Sequence, residues 1–395
     1  MIELSSRVNT MISSPTLKLL QIKKQLQTQG KVILDFGAGE PDFSTPENIK
    51  EAGTAAIRNN FTKYTPTSGI AELKKAIRDS YQAEQAYAAK DSQIVVSPGS
   101  KYGLFLLLQA IVDPGDEVIV PLPFWVSYPE MVKFCGGRVV FADHLQPDRL
   151  FELTAASYIS RCSAQTKAVI VNSPSNPTGK IMNSEELGKL IDYFYKKNIL
   201  IIIDDCYRKI IYTSGEYPSP MNLVPAASEH VAVISSLSKT YAMTGWRIGY
   251  TIAPEKLAAA MTKIQEHSTS NPCSISQKAA VEALSGDQSA VQAMVEEYRR
   301  RRDYFARRVD EIGHITYALP DGAFYFFADF SHYIHIKKFR DDNQLAMDIL
   351  EKLNVILVPG SAFGAPNHLR ISYATSMEDI QEGLRRLEEY LRNDR

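Results

Sequence analysis

Short apolar runs alternate with helical segments through the middle of the chain, between about residues 93 and 277. Successive positions within each run are apolar, rather than every second one, which is typical of strands buried on both faces of a sheet. This alternation predicts an α/β fold in which helices cover both faces of a mostly parallel sheet. The predicted strands are residues 94–96, 117–120, 138–141, 168–171, 200–203, 231–234 and 248–252.

The two ends of the chain have a different pattern. A polar arm and a helical run at 17–26 open the chain, and a long charged helix at 290–312 precedes alternating strands and helices. We predict that residues 1–45 and 286–395 form a smaller α+β domain and that 46–285 form a large domain. The predicted strands of the smaller domain are 32–36, 323–327, 355–358 and 369–373.

The long helix contains four consecutive arginines, Arg299 to Arg302. Such a run could bind an anion. Because Glu296, Glu297 and Asp303 lie at helical spacing from the arginines, we favour a solvated face of salt bridges.

Charge and composition narrow the class of protein. The 44 basic residues nearly balance the 45 acidic ones, which argues against binding to nucleic acid or to a membrane surface. The four cysteines form no CxxC pair, so no metal site is predicted. No basic-then-apolar signal opens the chain, and no apolar run approaches the roughly 20 residues that span a bilayer. We therefore expect a soluble, cytoplasmic protein.

A lysine stands in the loop after one of these strands. Lys239 lies between the strand at 231–234 and Arg247, with Ser236 three residues before it. Ligands of α/β proteins bind at such strand ends. A buried lysine beside a cation loses its proton readily and could hold an aldehyde cofactor as a Schiff base. Ser236 and Arg247 would suit a phosphate, although a surface lysine on a loop remains the alternative.

Two further strand ends carry candidate contacts for a planar, phosphorylated ligand. Gly99, Ser100 and Lys101 lie where a strand meets a helix, and exposed backbone N–H groups there can cradle a phosphate. Trp125 follows the next strand and could stack on a heterocycle, or simply pack in the core.

Polar residues at three more strand positions complete the set. Asn176, in a proline-rich loop, could direct its amide at a phenolic oxygen. Asp204 ends the most apolar strand, where a carboxylate needs a cation such as a protonated pyridine nitrogen; Tyr207 could reach the ring hydroxyl. Arg370, inside a predicted strand, suits a substrate carboxylate. The alternatives are a helix cap at Asp204 and a structural salt bridge at Arg370.

In order along the chain, these motifs closely resemble the class I, fold-type I pyridoxal-phosphate aminotransferases, and the segments 38–43, 125–131 and 242–250 look most like the bacterial aspartate aminotransferases. The resemblance runs from Gly37 to the last helix. It rests on Asn-Pro-Thr-Gly at 176–179, Asp204 with Tyr207, Ser-x-x-Lys at 236–239, Arg247 and Arg370.

The resemblance implies pyridoxal 5′-phosphate as cofactor. Lys239 would be the Schiff-base lysine and proton shuttle, Asp204 would pair with the pyridine nitrogen, and Trp125 would stack on the ring. Asn176 and Tyr207 would bond the ring oxygen. The residues implied around the phosphate are Gly99, Ser100, Lys101, Ser236, Arg247 and, from a neighbouring subunit, Tyr64.

The resemblance also implies how substrate is held. Arg370 would bind the α-carboxylate with Gly39 and Asn176, and Lys101 would approach the distal carboxylate of an acidic substrate. The full implied substrate set is Gly39, Lys101, Trp125, Asn176 and Arg370, with Ser14 and Thr16 on a mobile N-terminal arm.

The implied activity is ping-pong transfer of an amino group from an L-amino acid, first aspartate or glutamate, to a 2-oxo acid such as 2-oxoglutarate or oxaloacetate. The implied assembly is a homodimer with shared active sites. Alternatives are an aromatic or prephenate aminotransferase and a carbon–sulfur lyase with the same cofactor. A non-catalytic regulator is disfavoured, because the roughly 30 residues before Lys31 leave no room for a DNA-binding domain.

Overall fold

The computed structural model describes residues 2–9, 11–12, 15–145, 150–213, 217–223 and 229–392, without the side chains of 15–21. Its N-terminal part is largely helical. The elements there are α1 (Ser6–Asn9), α2 (Pro15–Thr28), β1 (Leu34–Asp35), α3 (Glu47–Arg58) and α4 (Ala71–Gln85).

A seven-stranded sheet forms the centre of the molecule and confirms the predicted α/β class. Its strand order is β2-β8-β7-β6-β5-β3-β4, and all pairs are parallel except those made by β8. The strands are β2 (Ile94–Ser97), β3 (Glu117–Leu122), β4 (Arg138–Asp143), β5 (Thr166–Asn172), β6 (Leu200–Asp204), β7 (Val231–Ser236) and β8 (Gly249–Ile252).

Both faces of this sheet are buried, which explains the continuous apolar runs. Along β5, Val169 and Val171 join the apolar cluster on one face, whereas Ala168 and Ile170 join the cluster on the other. The helices between and after these strands are α5 (Ser100–Ile111), α6 (Ser127–Phe134), α7 (Ala155–Ile159), α8 (Ser184–Lys196), α9 (Leu237–Thr240), α10 (Glu255–Glu266) and α11 (Ser274–Ser285).

The C-terminal part contains an antiparallel four-stranded sheet and a separate parallel pair, β1 with β11. The strand order of the larger sheet is β12-β13-β10-β9. Its elements, in chain order, are α12 (Ser289–Ile312), β9 (Thr316–Tyr317), β10 (Tyr325–Asp329), α13 (Ser331–Ile336), α14 (Asp342–Leu353), β11 (Val355–Ile356), β12 (Val358–Pro359), β13 (His368–Ser372) and α15 (Met377–Arg392).

A separate apolar cluster joins the two ends of the chain. Leu34 and Phe36 pack with residues that run from Met294 in α12 to Leu391 in α15. This contact agrees with an N-terminal contribution to the smaller domain, while the domain boundaries themselves stay a prediction. Within the described residues, no helix is long and apolar enough to cross a membrane.

The predicted solvated face of salt bridges is correct for Arg299 and Arg300 and wrong for Arg301 and Arg302. The first two arginines form exposed ion pairs one turn away, as expected. Arg301 and Arg302, however, are only 5% and 9% exposed. Arg301 forms a salt bridge with Asp42 at 2.8 Å, and Arg302 donates to the carbonyl of Pro320 at 3.0 Å. Four consecutive helical residues point in all directions, so two of them necessarily face the core.

Candidate active site

Neighbouring parallel strands bring the candidate residues to one edge of the central sheet. Asn172, the last residue of β5, pairs in register with Asp204, the last residue of β6, and β7 ends alongside at Ser236. A cavity of about 160 Å³ opens beside these ends. Its wall is formed by Gly37, Gly39, Ser100, Trp125, Val126, Tyr128, Asn172, Asn176, Asp204, Cys206, Tyr207, Lys239, Tyr325, Phe363 and Arg370.

Asp204 is buried at the base of this cavity, only 7% exposed. The hydroxyl of Tyr128 donates to its Oδ2 at 2.7 Å, and the backbone N–H of Cys206 lies 3.3 Å from its Oδ1. Burial raises the pKa of Asp204, whereas these hydrogen bonds and the charge of Lys239 act to lower it. A buried carboxylate held in this way is suited to a cationic partner in the cavity.

Lys239 projects from the short helix α9 into the same cavity. Its Nζ donates to the carbonyl of Gly39 at 2.5 Å. Burial lowers the pKa of Lys239 to about 8, and the charges of Arg247 and Arg370 act in the same direction. A pKa of about 8 leaves roughly a tenth of this amine uncharged at pH 7, and this fraction can act as a nucleophile or a base.

Arg370, on β13, contributes a positive charge to the cavity wall. It donates from Nη1 to Asn176 Oδ1 at 3.1 Å and from Nη2 to the carbonyl of Gly37 at 2.8 Å. Its guanidinium lies 4.4 Å from the ring centre of Tyr325. The guanidinium is buried, and its Nε has no hydrogen-bond partner among the described residues. Such a group is suited to a carboxylate ligand.

Close backbone packing shapes an anion-binding end of the site, where the start of α5 meets the cavity. Gly99 has a φ of +86° and precedes α5, whose first residue, Ser100, lines the cavity. A Cβ at Gly99 would lie 2.5 Å from Nη2 of Arg247, and one at Gly249 would lie 2.4 Å from the backbone N of Ser100. Ser236 caps α9 through its side chain, which accepts from the N–H of Ser238. Hydroxyls, a guanidinium and a helix N-terminus here fit a phosphate.

Lys101 lies beside this anion-binding end. Its ammonium is 4.8 Å from the ring centre of Trp125, a residue of the cavity wall. Partial withdrawal from water and the charge of Arg247 lower the pKa of Lys101. A second cation thus lies close to the cavity.

One predicted residue lies away from this cavity. Tyr64 is on the surface, 91% exposed, outside the cavity of its own chain. Ser14 lies outside the described residues, and so does the side chain of Thr16.

Sequence reasoning missed two tyrosines that orient the site. Tyr128 hydrogen-bonds Asp204, and the hydroxyl of Tyr325 lies 2.8 Å from that of Tyr207. Tyr128 stands three residues after Trp125, but that spacing does not reveal a contact with Asp204. Tyr325 lies in an ordinary aromatic strand, and nothing in its spacing marks it.

Together these features are those of a pyridoxal-phosphate enzyme that acts on amino acids. A lysine of lowered pKa, a buried carboxylate for a cationic ring nitrogen and an anion-binding helix N-terminus fit pyridoxal 5′-phosphate, and Arg370 is suited to an amino-acid carboxylate.

Comparisons with known proteins identify the family. Residues 31–387 match the model of "Aminotransferase class I and II", and the chain belongs to this family. It is 41% identical over 390 residues to the probable aspartate/prephenate aminotransferase of Aquifex aeolicus, covering 98% of each chain. It is 38% identical to the aspartate aminotransferase of Bacillus subtilis, covering 98% of this chain and 99% of that one.

Solved structures show the same relationship. The aspartate aminotransferase of Thermus thermophilus with maleate is 39% identical and superposes with a TM-score of 0.92, covering 98% of this chain and all of that one. The protein is therefore an aminotransferase, and its cofactor is pyridoxal 5′-phosphate. Its substrates are amino acids and 2-oxo acids.

Proposed function

We propose that the protein transfers the amino group of aspartate or glutamate to 2-oxoglutarate or oxaloacetate. The observation that carries this proposal is a pair of cations at one cavity. Arg370 has an unpartnered Nε among the described residues, and Lys101 lies against the wall residue Trp125. A dicarboxylic amino acid presents one carboxylate to each of them. Relatives named aspartate aminotransferase agree with this substrate.

Arg370 orients the substrate in this proposal. Its planar fork binds the α-carboxylate, with Asn176 and Gly39 beside it. Fixing one carboxylate places the Cα–H of the amino acid close to Lys239. Tyr325 and Phe363 cover the guanidinium, which keeps water from competing for it.

Lys239 moves the proton in this proposal. The cofactor, when bound, supplies an aldehyde that takes the amino group and a ring that withdraws electrons from Cα. Lys239 would take the proton from the substrate Cα and deliver it to the carbon of the cofactor aldehyde, which its lowered pKa permits near neutral pH. Because the amino group stays on the enzyme between two half-reactions, the kinetics are ping-pong.

The remaining site residues hold the ring and the phosphate. Asp204 keeps the ring nitrogen protonated, Asn176 and Tyr207 bond the ring oxygen, and Trp125 stacks on the ring. The proposed phosphate contacts are Gly99, Ser100, Lys101, Ser236 and Arg247.

We propose further that the enzyme works as a homodimer with shared sites. Tyr64 is a large aromatic residue that is almost fully exposed in the single chain, and an exposed aromatic suits an interface. It would complete the phosphate site of the partner. Ser14 and Thr16 would belong to an arm that closes over substrate. The cytoplasmic location stays a prediction from sequence.

One alternative acceptor has a specific observation in its favour. The Aquifex relative is named an aspartate/prephenate aminotransferase, so prephenate or an aromatic 2-oxo acid is the second candidate acceptor.

A donor-by-acceptor panel with the purified, cofactor-loaded enzyme tests the proposal. We expect aspartate with 2-oxoglutarate to give the highest kcat/KM, and Lys239→Ala to abolish turnover while the protein stays folded. Preference for aromatic donors with every acceptor would contradict the proposed substrate. Pyruvate and ammonia formed from cystathionine without an amino acceptor would instead identify a carbon–sulfur lyase.

A further inference from the structure

A short chain of polar contacts connects helix α2 with Arg370. The Nζ of Lys23, on α2, donates to Oδ2 of Asp35 at 2.8 Å. The other carboxylate oxygen of Asp35 accepts from the backbone N–H of Gly37 at 2.8 Å. The carbonyl of Gly37 in turn accepts from Nη2 of Arg370 at 2.8 Å. Three contacts of ordinary hydrogen-bond length therefore separate Lys23 from the guanidinium.

The segment that carries Asp35 and Gly37 is held firmly. Phe36 donates to the carbonyl of Ile356 at 3.1 Å and accepts from the N–H of Ser372 at 2.7 Å. A Cβ at Gly37 would lie 2.9 Å from Ile356 and 3.3 Å from Oδ1 of Asp35. The segment thus runs between two neighbouring backbones, and the carboxylate of Asp35 has little freedom to move away from Arg370.

The charge of Asp35 acts on the guanidinium. Burial lowers the pKa of Arg370, and the nearby negative charge of Asp35 acts to raise it. An anion that attracts the guanidinium also offsets part of its attraction for a second anion. Without a neutralising partner, Asp35 would therefore weaken the hold of Arg370 on a substrate carboxylate.

Lys23 is placed to supply that neutralisation. The side chains of Lys23 and Asp35 are 25% and 16% exposed, so their ion pair is only partly screened by water.

We propose that Lys23 and Asp35 are positioning residues for the substrate α-carboxylate. Asp35 fixes Gly37, and through it Arg370, while Lys23 cancels the charge of Asp35 so that Arg370 keeps its attraction for substrate. This inference rests on the proposed role of Arg370 as the carboxylate-binding residue.

A purely mechanical tether is the competing explanation, and a double-mutant cycle separates the two. If Lys23 acts by cancelling the charge of Asp35, Lys23→Met raises KM for aspartate and for alanine about two- to fivefold, which is the effect of a partly exposed ion pair. The value of kcat then changes little. Asp35→Asn stays within about twofold of wild type, because its amide oxygen still accepts from Gly37. The double variant Lys23→Met/Asp35→Asn returns to within about twofold of wild type.

A tether predicts a different pattern. Both single variants would then raise KM to a similar extent, and the double variant would be no better than either. That result would overturn the proposal. Because rescue is measured on the Lys23→Met background, a general loss of stability cannot imitate it. Calorimetric titration of the cofactor-loaded enzyme with maleate should show the same pattern in Kd, without turnover.

Two controls complete the experiment. Lys24→Met removes the neighbouring, exposed lysine of α2 and should leave KM unchanged. Arg370→Lys tests the function on which the inference rests. If Arg370→Lys raises KM strongly while Lys23→Met does not, only the present inference fails. If Arg370→Lys also leaves KM unchanged, the assignment of Arg370 to the substrate carboxylate fails.

Discussion

The lowered pKa of Lys239 makes a thermodynamic prediction for the cofactor-free protein. The pKa falls from 10.5 to about 8 on folding, so the folded chain binds fewer protons than the unfolded chain between these values. The cost of burying this lysine is complete below pH 8 and disappears as the pH rises toward 10.5. Lys239→Met should therefore stabilise the cofactor-free protein at pH 7 by about 3 kcal/mol, because each pKa unit corresponds to about 1.4 kcal/mol, with a smaller gain at higher pH.

Urea unfolding of both proteins at pH 7, 9 and 10 measures this gain. Lys24→Met serves as the matched control, because its lysine is exposed on α2. A gain for Lys239→Met that is equal at pH 7 and 10 would show that its ammonium is not destabilised by burial.

Lys101 carries the prediction for substrate specificity. Lys101→Ser should lower kcat/KM for aspartate and glutamate. The corresponding loss of transition-state stabilisation should be roughly 1.5–3 kcal/mol, the scale of a charge-assisted hydrogen bond. Phenylalanine, which has no second carboxylate, should lose much less. The alternative is that Lys101 serves only the cofactor phosphate. Side-by-side kinetics at saturating cofactor separate the two, since an equal loss for both donors would place acidic-substrate recognition on another residue.

At this scale the sequence located the residues at strand ends but not those that support them. Lys239 and Asp204 could be predicted because an ionisable residue directly after an apolar run needs a reason. The partners of Asp204 and Tyr207 could not. Tyr128 and Tyr325 reach the site from 76 and 118 residues away along the chain, and no local pattern encodes such contacts.

At the scale of elements, the central sheet was predictable and the C-terminal sheets were less so. Strands buried on both faces leave apolar runs that cannot be mistaken for surface helices. The predicted strand at 355–358 instead divides into β11 and β12, which pair with β1 and β13 in different sheets. Since both halves are apolar and buried, the pattern of hydrophobic residues gives no sign of the break at Leu357.

The contact between β8 and the start of α5 is also open to test. A methyl group at Gly249 would lie 2.4 Å from the backbone N of Ser100 and 2.8 Å from the backbone of Gly99. Backbone cannot rotate away as a side chain can, so Gly249→Ala should destabilise the fold by about 1–3 kcal/mol and displace the proposed phosphate loop. Cofactor affinity should fall with stability.

Gly188→Ala is the matched control, because a methyl group there meets no atom within 4 Å among the described residues. It lies within α8, where alanine is favoured over glycine by about 0.5–1 kcal/mol, so it should stabilise the protein slightly. Thermal unfolding and cofactor titration of both variants measure the two effects. Normal cofactor affinity in Gly249→Ala would show that the loop tolerates displacement or serves another purpose.

At the scale of the whole molecule, Tyr64 decides whether one chain contains a complete site. It is 91% exposed and lies outside the cavity formed by its own chain, although the resemblance places it at the cofactor phosphate. Both statements hold if Tyr64 acts on the partner subunit. The predicted dimer should have twice the 44.2 kDa mass of the chain, which analytical ultracentrifugation measures directly.

A hybrid dimer tests the sharing itself. Tyr64→Ala should weaken cofactor binding at both sites of a homodimer, and Lys239→Ala should inactivate both. In a hybrid of one chain of each kind, a shared arrangement puts both lesions into one site and leaves the other with an intact Lys239 and the partner's intact Tyr64. Co-expression with two affinity tags should therefore yield a dimer with about half of the wild-type activity at limiting cofactor.

If Tyr64 serves its own chain, every site of the hybrid carries one lesion. Activity at limiting cofactor would then stay at or below half of that of the Tyr64→Ala homodimer, because the only working lysine would belong to the chain that lacks its tyrosine.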